Sequence, residues 1–261
     1  MKKNSKYESL KTIFFAIFIA LLIRSFIAEP FNIPSGSMKP TLLKGDFLFV
    51  KKWSYGYSKH SLPFSLPLIN NRIFYKEPIR GDVAVFKTPE DNKTDYIKRI
   101  IGLPGDKILL INGVVFLNNK PLSKMQIRDF TEKDYDNIVK FKSAIDLNIF
   151  SNISISEGGD VIISQFEEYI GNSKYKILDI HNNSIGDNTN EFIVPEDYFF
   201  VLGDNRDNSQ DSRFIIPGFI PINNLVGKAW IVFFSLENSR FFEIWKWPKA
   251  IRYKRIIKKI Q

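Results

Sequence analysis

Apolar and polar positions along the chain fall into two regimes. Thr12 to Ile23 reads Thr-Ile-Phe-Phe-Ala-Ile-Phe-Ile-Ala-Leu-Leu-Ile, and after Arg24 and Ser25 the apolar character resumes through Phe26, Ile27 and Ala28. This run predicts a helical membrane anchor over residues 12–28. As a helix it would span about 25 Å, slightly short of a hydrocarbon core of about 30 Å. Arg24, near one end, can snorkel to the interface. A cleaved secretory signal is the competing reading, because a lysine-bearing start followed by a short apolar stretch fits both. Cleavage after Ala28 would put bulky Phe26 at the third residue before the cut, so the retained anchor is favoured. Lys2, Lys3, Lys6 and Lys11 then hold the N-terminus in the cytoplasm and send the rest across.

From Asp46 onward the period is that of β-structure. Phe47 to Val50, Val83 to Phe86, Tyr96 to Ile101, Ile108 to Ile111, Val114 to Leu117, Tyr198 to Leu202 and Val226 to Phe234 are β-branched or aromatic runs of strand length. Asn112-Gly113 between two of them predicts a tight hairpin. Residues 53–80 form a long aromatic and proline-containing connection. Residues 118–192, richer in Asn, Ser and Lys, read as an inserted, peripheral β subdomain. The expected fold is mainly β, an antiparallel sheet or barrel-like core behind one transmembrane helix.

Composition narrows the chemistry. With no cysteine in 261 residues, disulfides, thiolate nucleophiles and cysteine metal sites are excluded. Only His60 and His181 are present, in no metal-ligand spacing, and a Ser-His-Asp arrangement would have to draw on one of them. The net charge of +9 would suit an acidic partner, but its location matters. Residues 1–24 carry a net +4 and residues 240–261 a net +7, which leaves the middle slightly acidic. Basic residues that flank apolar and aromatic ends, instead of spreading over a folded face, point to a membrane and away from nucleic acid. Residues 240–261, with Phe241, Phe242, Trp245 and Trp247 among the bases, have the make-up of an interfacial segment; a solvated basic tail is the plainer alternative.

Three stretches could carry chemistry. In Ile33-Pro34-Ser35-Gly36-Ser37-Met38-Lys39-Pro40-Thr41-Leu42 the two prolines predict an extended, irregular backbone, with Ser35 and Ser37 on one face. Two hydroxyls beside a bare amide segment could form a nucleophile with an oxyanion site, although Ser-Gly-Ser between prolines is ordinarily a turn. In the strand Tyr96 to Ile101, Lys98 shares a face with Tyr96 and Ile100; it is either semi-buried or an edge guard. Gly203 to Arg213 is a polar loop braced by an Asp211–Arg213 pair, or simply solvated.

Taken in order, Pro-Ser-Gly-Ser-Met-Lys-Pro-Thr-Leu, Arg80-Gly81-Asp82-Val83, Tyr96-Ile97-Lys98-Arg99-Ile100-Ile101-Gly102-Leu103-Pro104-Gly105-Asp106 and Gly203-Asp204-Asn205-Arg206-Asp207-Asn208-Ser209 through Asp211-Ser212-Arg213 resemble the successive motifs of bacterial type I signal peptidases. The resemblance covers the anchor and residues 31–52, 80–117 and 198–234; elsewhere it is loose. It implies a Ser/Lys dyad that cleaves signal peptides from exported preproteins through an acyl-enzyme, without metal or cofactor. Ser37 would be the nucleophile and Lys98 the general base, with Ser35 and the Ser37 amide as oxyanion donors. Ser209 would orient the Lys98 amine, and Asp211 with Arg213 would brace its loop. Phe31, Ile33, Leu48, Val85, Tyr96 and Ile97 match positions that line shallow pockets for small side chains at the first and third residues before the cut. A self-cleaving Ser/Lys protease and a non-catalytic membrane-tethered β scaffold are the alternatives.

The chemistry asks for burial. A lysine of ordinary pKa, about 10.4, is neutral in fewer than about one molecule in a thousand at pH 7. Desolvation must therefore lower its pKa, and a two-unit drop costs about 2.7 kcal/mol. The layout implied is a cytoplasmic start at 1–11, an anchor at 12–28, a catalytic core at 29–117 and 193–239, the insertion at 118–192 and a membrane-proximal tail at 240–261. Such a chain would cross the inner membrane once, with its catalytic part outside and the lipid bilayer as a second partner.

Overall fold

The computed structural model describes residues 3–132, 153–155, 161–181, 183–239 and 241–261. The chain enters through helix α1, Lys3–Leu22, whose last turn widens to a π-helix at Ile23–Ile27. Tyr7–Ile27, 21 residues long, is apolar enough to cross a membrane, with a mean hydropathy of 2.2 in an 18-residue window. At 1.5 Å per residue this segment is about 31 Å long, a closer match to a bilayer core than the expected 12–28. Lys11 interrupts the apolar run in the sequence but not the helix, because a lysine stem can lie along apolar surface. Ala28 already belongs to a strand.

Sixteen strands follow among the described residues. They are β1 Ala28–Asn32, β2 Asp46–Lys51, β3 Val83–Lys87, β4 Asp95–Gly102, β5 Lys107–Ile111, β6 Val114–Leu117, β7 Lys120–Pro121 and β8 Ser123–Glu132. Then come β9 Ile153–Ile155, β10 Val161–Ile170, β11 Ser173–Leu178, β12 Phe192–Ile193, β13 Tyr198–Leu202, β14 Ile220–Pro221, β15 Leu225–Ser235 and β16 Lys258–Lys259. Every run expected from the β pattern is a strand. Asn112 and Gly113 both take positive φ, 48° and 72°, as the two-residue hairpin turn requires.

The main sheet is antiparallel in the order β1-β2-β15-β3-β4-β13-β14, with β16 added beside β15. Its curl comes from β15, where the register breaks at Leu225/Gly227, Ala229/Ile231 and Val232/Phe234. Each irregularity bends the strand and increases its twist. Gly227 marks a close approach of β15 to β2: a Cβ there would stand 2.4 Å from the Lys51 carbonyl oxygen. Inside the curl Ile33, Met38, Leu42, Leu48, Val50, Val83, Val85, Val226, Ala229 and Val232 form one core cluster.

The inserted region builds a second sheet, β11-β10-β8 with β9 on β10, while β12-β5-β6-β7 form a third. Residue 118 is therefore not a clean boundary, because β7 pairs with β6. Nor is the insertion merely peripheral: Ile170, Tyr175 and Ile177 share a core cluster with Ile101, Ile108, Phe200 and Leu202. Connection 53–80 ties the anchor to the body. Tyr57 donates to the Phe26 carbonyl at 2.9 Å, and Arg24 and Lys52 both pair with Glu29 at 2.6 Å. The end of the chain folds back on the sheet through β16 and is more than a solvated tail.

Candidate active site

Past β1 the backbone turns instead of staying extended: Lys39 N–H reaches the Gly36 carbonyl at 3.1 Å and Leu42 N–H the Met38 carbonyl at 2.8 Å. Met38 and Leu42, wholly buried, pull this turn onto the core and fix Ser37 at its surface. The two hydroxyls meet as their spacing predicts, with Ser35 Oγ 3.3 Å from Ser37 Oγ. Asn205 holds the turn from the far side, its N–H donating to the Ser37 carbonyl at 3.0 Å and its Nδ2 to the Gly36 carbonyl at 3.1 Å. The Ser37 amide itself has no protein acceptor among the described residues.

Lys98 approaches along β4. Its side chain is 4% exposed and its Nζ lies 2.6 Å from Ser37 Oγ. The edge-guard alternative is thereby excluded. Burial lowers the pKa of Lys98 to about 8; the charges of Asp211 and Asp204 oppose the shift and Arg213 adds to it. At that value about one amine in ten is neutral at pH 7. The next residue, Arg99, points to the opposite face, as strand alternation requires, and is also buried. It grips Asp204 with Nε at 2.7 Å and Nη2 at 2.6 Å, and Asp204 in turn accepts from the Thr41 hydroxyl at 2.5 Å. Arg99, Asp204 and Thr41 thus lock the base strand to the serine turn.

The loop after β13 is not solvated: Asp204, Asn205, Arg206, Ser209, Asp211, Ser212 and Arg213 are all buried. Arg213 pairs with Asp211 through Nε at 2.9 Å and Nη2 at 3.0 Å, and Asp211 accepts the Gly203 N–H at 2.9 Å. Gly203 is required here, since a Cβ would stand 2.1 Å from Ser209 Oγ and 2.7 Å from the Ser37 carbonyl oxygen. Ser209 sits beside the serine turn, but its hydroxyl has no hydrogen-bond partner among the described residues. The expected bond from Ser209 to the Lys98 amine is not found among the described residues, where the amine bonds Ser37.

A cleft of about 660 Å³ opens over the dyad, lined by Phe31, Ile33, Ser35, Ser37, Val85, Tyr96, Ile97 and Lys98. One substrate-pocket expectation is corrected. Leu48 is fully covered in the core cluster with Ile33 and Val85 and supports the cleft floor from behind. Thr94, Asp95, Asn208 and Gln210 also line the cleft and were not foreseen. The motif loop contained the last two, but nothing in their spacing marked them as wall residues. The cleft runs between two strand edges. Among the described residues β1 pairs only with β2, and Asp95 to Lys98 of β4 pair only with β3, since β13 joins β4 from Arg99 onward.

The chain matches the family described as "Signal peptidase, peptidase S26" over residues 6–234. It is 38% identical over 258 residues to a signal peptidase I of Rickettsia typhi, covering 94% of this chain and 90% of that protein. A signal peptidase I of Rickettsia akari is 39% identical over 262 residues with the same coverage. A crystal structure of a signal peptidase I from Enterococcus faecalis aligns at 25% identity and a TM-score of 0.30, over 59% of this chain and 97% of that one. A nucleophile-like serine, a buried lysine and the ordered motifs that carry them accord with these matches, and the chain belongs to the signal peptidase family, peptidase S26.

Proposed function

We propose that this membrane enzyme removes signal peptides from exported preproteins with Ser37 as nucleophile and Lys98 as general base. The observation that carries the assignment is the 2.6 Å separation of a buried lysine nitrogen from Ser37 Oγ. In the amine form Oγ–H donates to Nζ, which takes the proton as Oγ attacks the scissile carbonyl carbon. The oxyanion that forms accepts from the Ser37 N–H and the Ser35 hydroxyl. Collapse breaks the C–N bond, the Lys98 ammonium protonates the departing amine, and the mature chain leaves. Water then attacks the acyl-enzyme, giving its proton to Lys98; collapse breaks the C–Oγ bond, the Lys98 ammonium returns that proton to Ser37 Oγ, and the signal peptide departs as a carboxylic acid that ionises. Ser209 is proposed to steady the amine through its hydroxyl, and Asp211 with Arg213 keeps its loop in place.

An extended substrate fits between the free edges of β1 and β4, where main-chain hydrogen bonds bind it irrespective of sequence. Ile33 and Val85 are nearly covered, at 3% and 2% exposure, so the pockets beneath that strand are shallow. Small side chains at the first and third residues before the cut suit them. Tyr7–Ile27 spans the inner membrane once with its lysines in the cytoplasm, which puts the catalytic sheet outside. Exposed Phe242, Ile244 and Trp245 supply a second lipid contact.

Incubation of the purified protein with a preprotein tests the assignment. Release of the mature chain is expected from the wild type and from Ser123→Ala, whose serine is exposed on the inserted sheet, and is expected to vanish in Ser37→Ala and Lys98→Met. Full activity in Lys98→Met would contradict the dyad.

A further inference from the structure

The segment after β15 lies beyond the residues that the family match covers, which end at 234. It nevertheless touches both halves of the site. Arg255 Nη2 donates to the Thr41 carbonyl at 3.0 Å and to Asp46 Oδ2 at 2.5 Å, and its Nε donates to Asp46 Oδ1 at 2.9 Å. Thr41 closes the turn that carries Ser37, and Asp46, wholly buried, accepts the Leu43 N–H of the same connection at 2.8 Å. Six residues on, the Gln261 main-chain carbonyl accepts from Arg99 Nη1 at 3.0 Å. Arg99 is the neighbour of Lys98 and already spends its other donors on Asp204 and on the Gly81 carbonyl at 2.6 Å. Between these two attachments β16 pairs with Ile231 and Val232, Ile260 N–H donates to the Trp230 carbonyl at 3.0 Å, and the Ile260 side chain packs on the cluster that contains Ile33 and Val85.

We infer that Arg255 to Gln261 is a positioning strap that sets the separation of Ser37 and Lys98. The inference rests on the dyad reading. The physical reason is that the serine turn and the base strand are remote in sequence and meet through polar contacts. A reaction that needs reacting atoms within a few tenths of an ångström is sensitive to small relaxations of that kind. The strap attaches to one side through a guanidinium fork and to the other through a main-chain acceptor, with an apolar residue anchored between. Its polar contacts with the two halves of the site are to Thr41, Asp46 and Arg99, none of which lines the cleft. Its loss therefore acts on turnover and spares substrate binding.

The test uses the full chain in detergent micelles with a preprotein substrate. Deleting residues 258–261 is expected to lower kcat at least tenfold while KM stays within twofold, measured at a temperature where the variant's circular dichroism shows it folded. Arg255→Lys is the second variant. It keeps a charge beside Asp46 but cannot fork to Asp46 and Thr41 together, and a fall in kcat of at least threefold at constant KM is expected. Because Arg255→Lys decides alone, a deletion that fails to fold does not shelter the idea. Folded variants whose kcat lies within twofold of the wild type, with only a lowered melting temperature, would overturn the strap. Lys98→Met run alongside separates the two failures: activity there removes the dyad, whereas inactivity there with normal strap variants removes only the strap.

Discussion

Lys98 is held in a state that costs the fold stability. Its folded pKa, about 8, lies below the ordinary 10.5, so between those values the unfolded chain binds more protons than the folded one. Stability therefore rises with pH across that window, and the cost, about 3 kcal/mol, is fully present below pH 8. Lys98→Met is expected to raise stability at pH 7 by about 2–3 kcal/mol, less near pH 10, as read by denaturant melts. A gain equal at both pH values would mean that packing, not charge, is the cause. With Lys98 as the proposed general base, kcat/KM is expected to rise with pH and level off above about 8. Ser209 offers a contrasting case, because its buried hydroxyl is unpartnered. Ser209→Ala is expected to leave stability unchanged or improve it by up to about 1 kcal/mol, yet to slow turnover about tenfold if the hydroxyl steadies the amine. At Gly203 a methyl group would strike both Ser209 and the serine turn, so Gly203→Ala is expected to abolish activity.

Hairpin β10–β11 extends the machinery into the insertion. Glu168 and Arg206 are buried and paired through Nη1 at 3.0 Å and Nη2 at 2.5 Å, and the Tyr175 hydroxyl donates to Glu168 at 2.6 Å. Burial opposes the Glu168 charge, but Arg206 overrides it and holds the carboxyl below its usual range. The Tyr175 ring lies 4.0 Å from the Arg99 guanidinium, so the hairpin packs against the locked pair at the dyad's back. Removing one partner strands the other charge: Glu168→Gln is expected to lower unfolding free energy by about 3–5 kcal/mol, measured by denaturant titration. A loss below about 1 kcal/mol would show that water reaches Arg206. Such contacts explain where sequence reasoning stopped. Strand alternation put Tyr96, Lys98 and Ile100 on one face, and Asn112-Gly113 named its own turn. Thr41 and Asp204, 163 residues apart, and Glu168 and Arg206, 38 apart, follow no local period. Only the folded sheet brings them together. Leu48 illustrates the same limit, since the alternation of β2 gives its face but not whether that face lines a cleft or lies beneath one.

At the scale of the molecule, the apolar start was legible as a membrane-crossing helix, and the ordered motifs were legible as those of the family. The end of the chain was read by its composition alone, and composition does not reveal that Ile260 and Gln261 return to the sheet. On the proposed dyad, what the whole fold contributes to catalysis is the exclusion of water from one nitrogen. Nitrogen-15 NMR titration of the lysine side chains in the full chain, with Lys98→Met to assign the signal, measures this directly. A Lys98 signal is expected that titrates near pH 8 in the folded protein and moves to about 10.4 when the chain is unfolded in denaturant. A Lys98 signal that titrates above pH 10 in the folded, active enzyme would contradict that expectation.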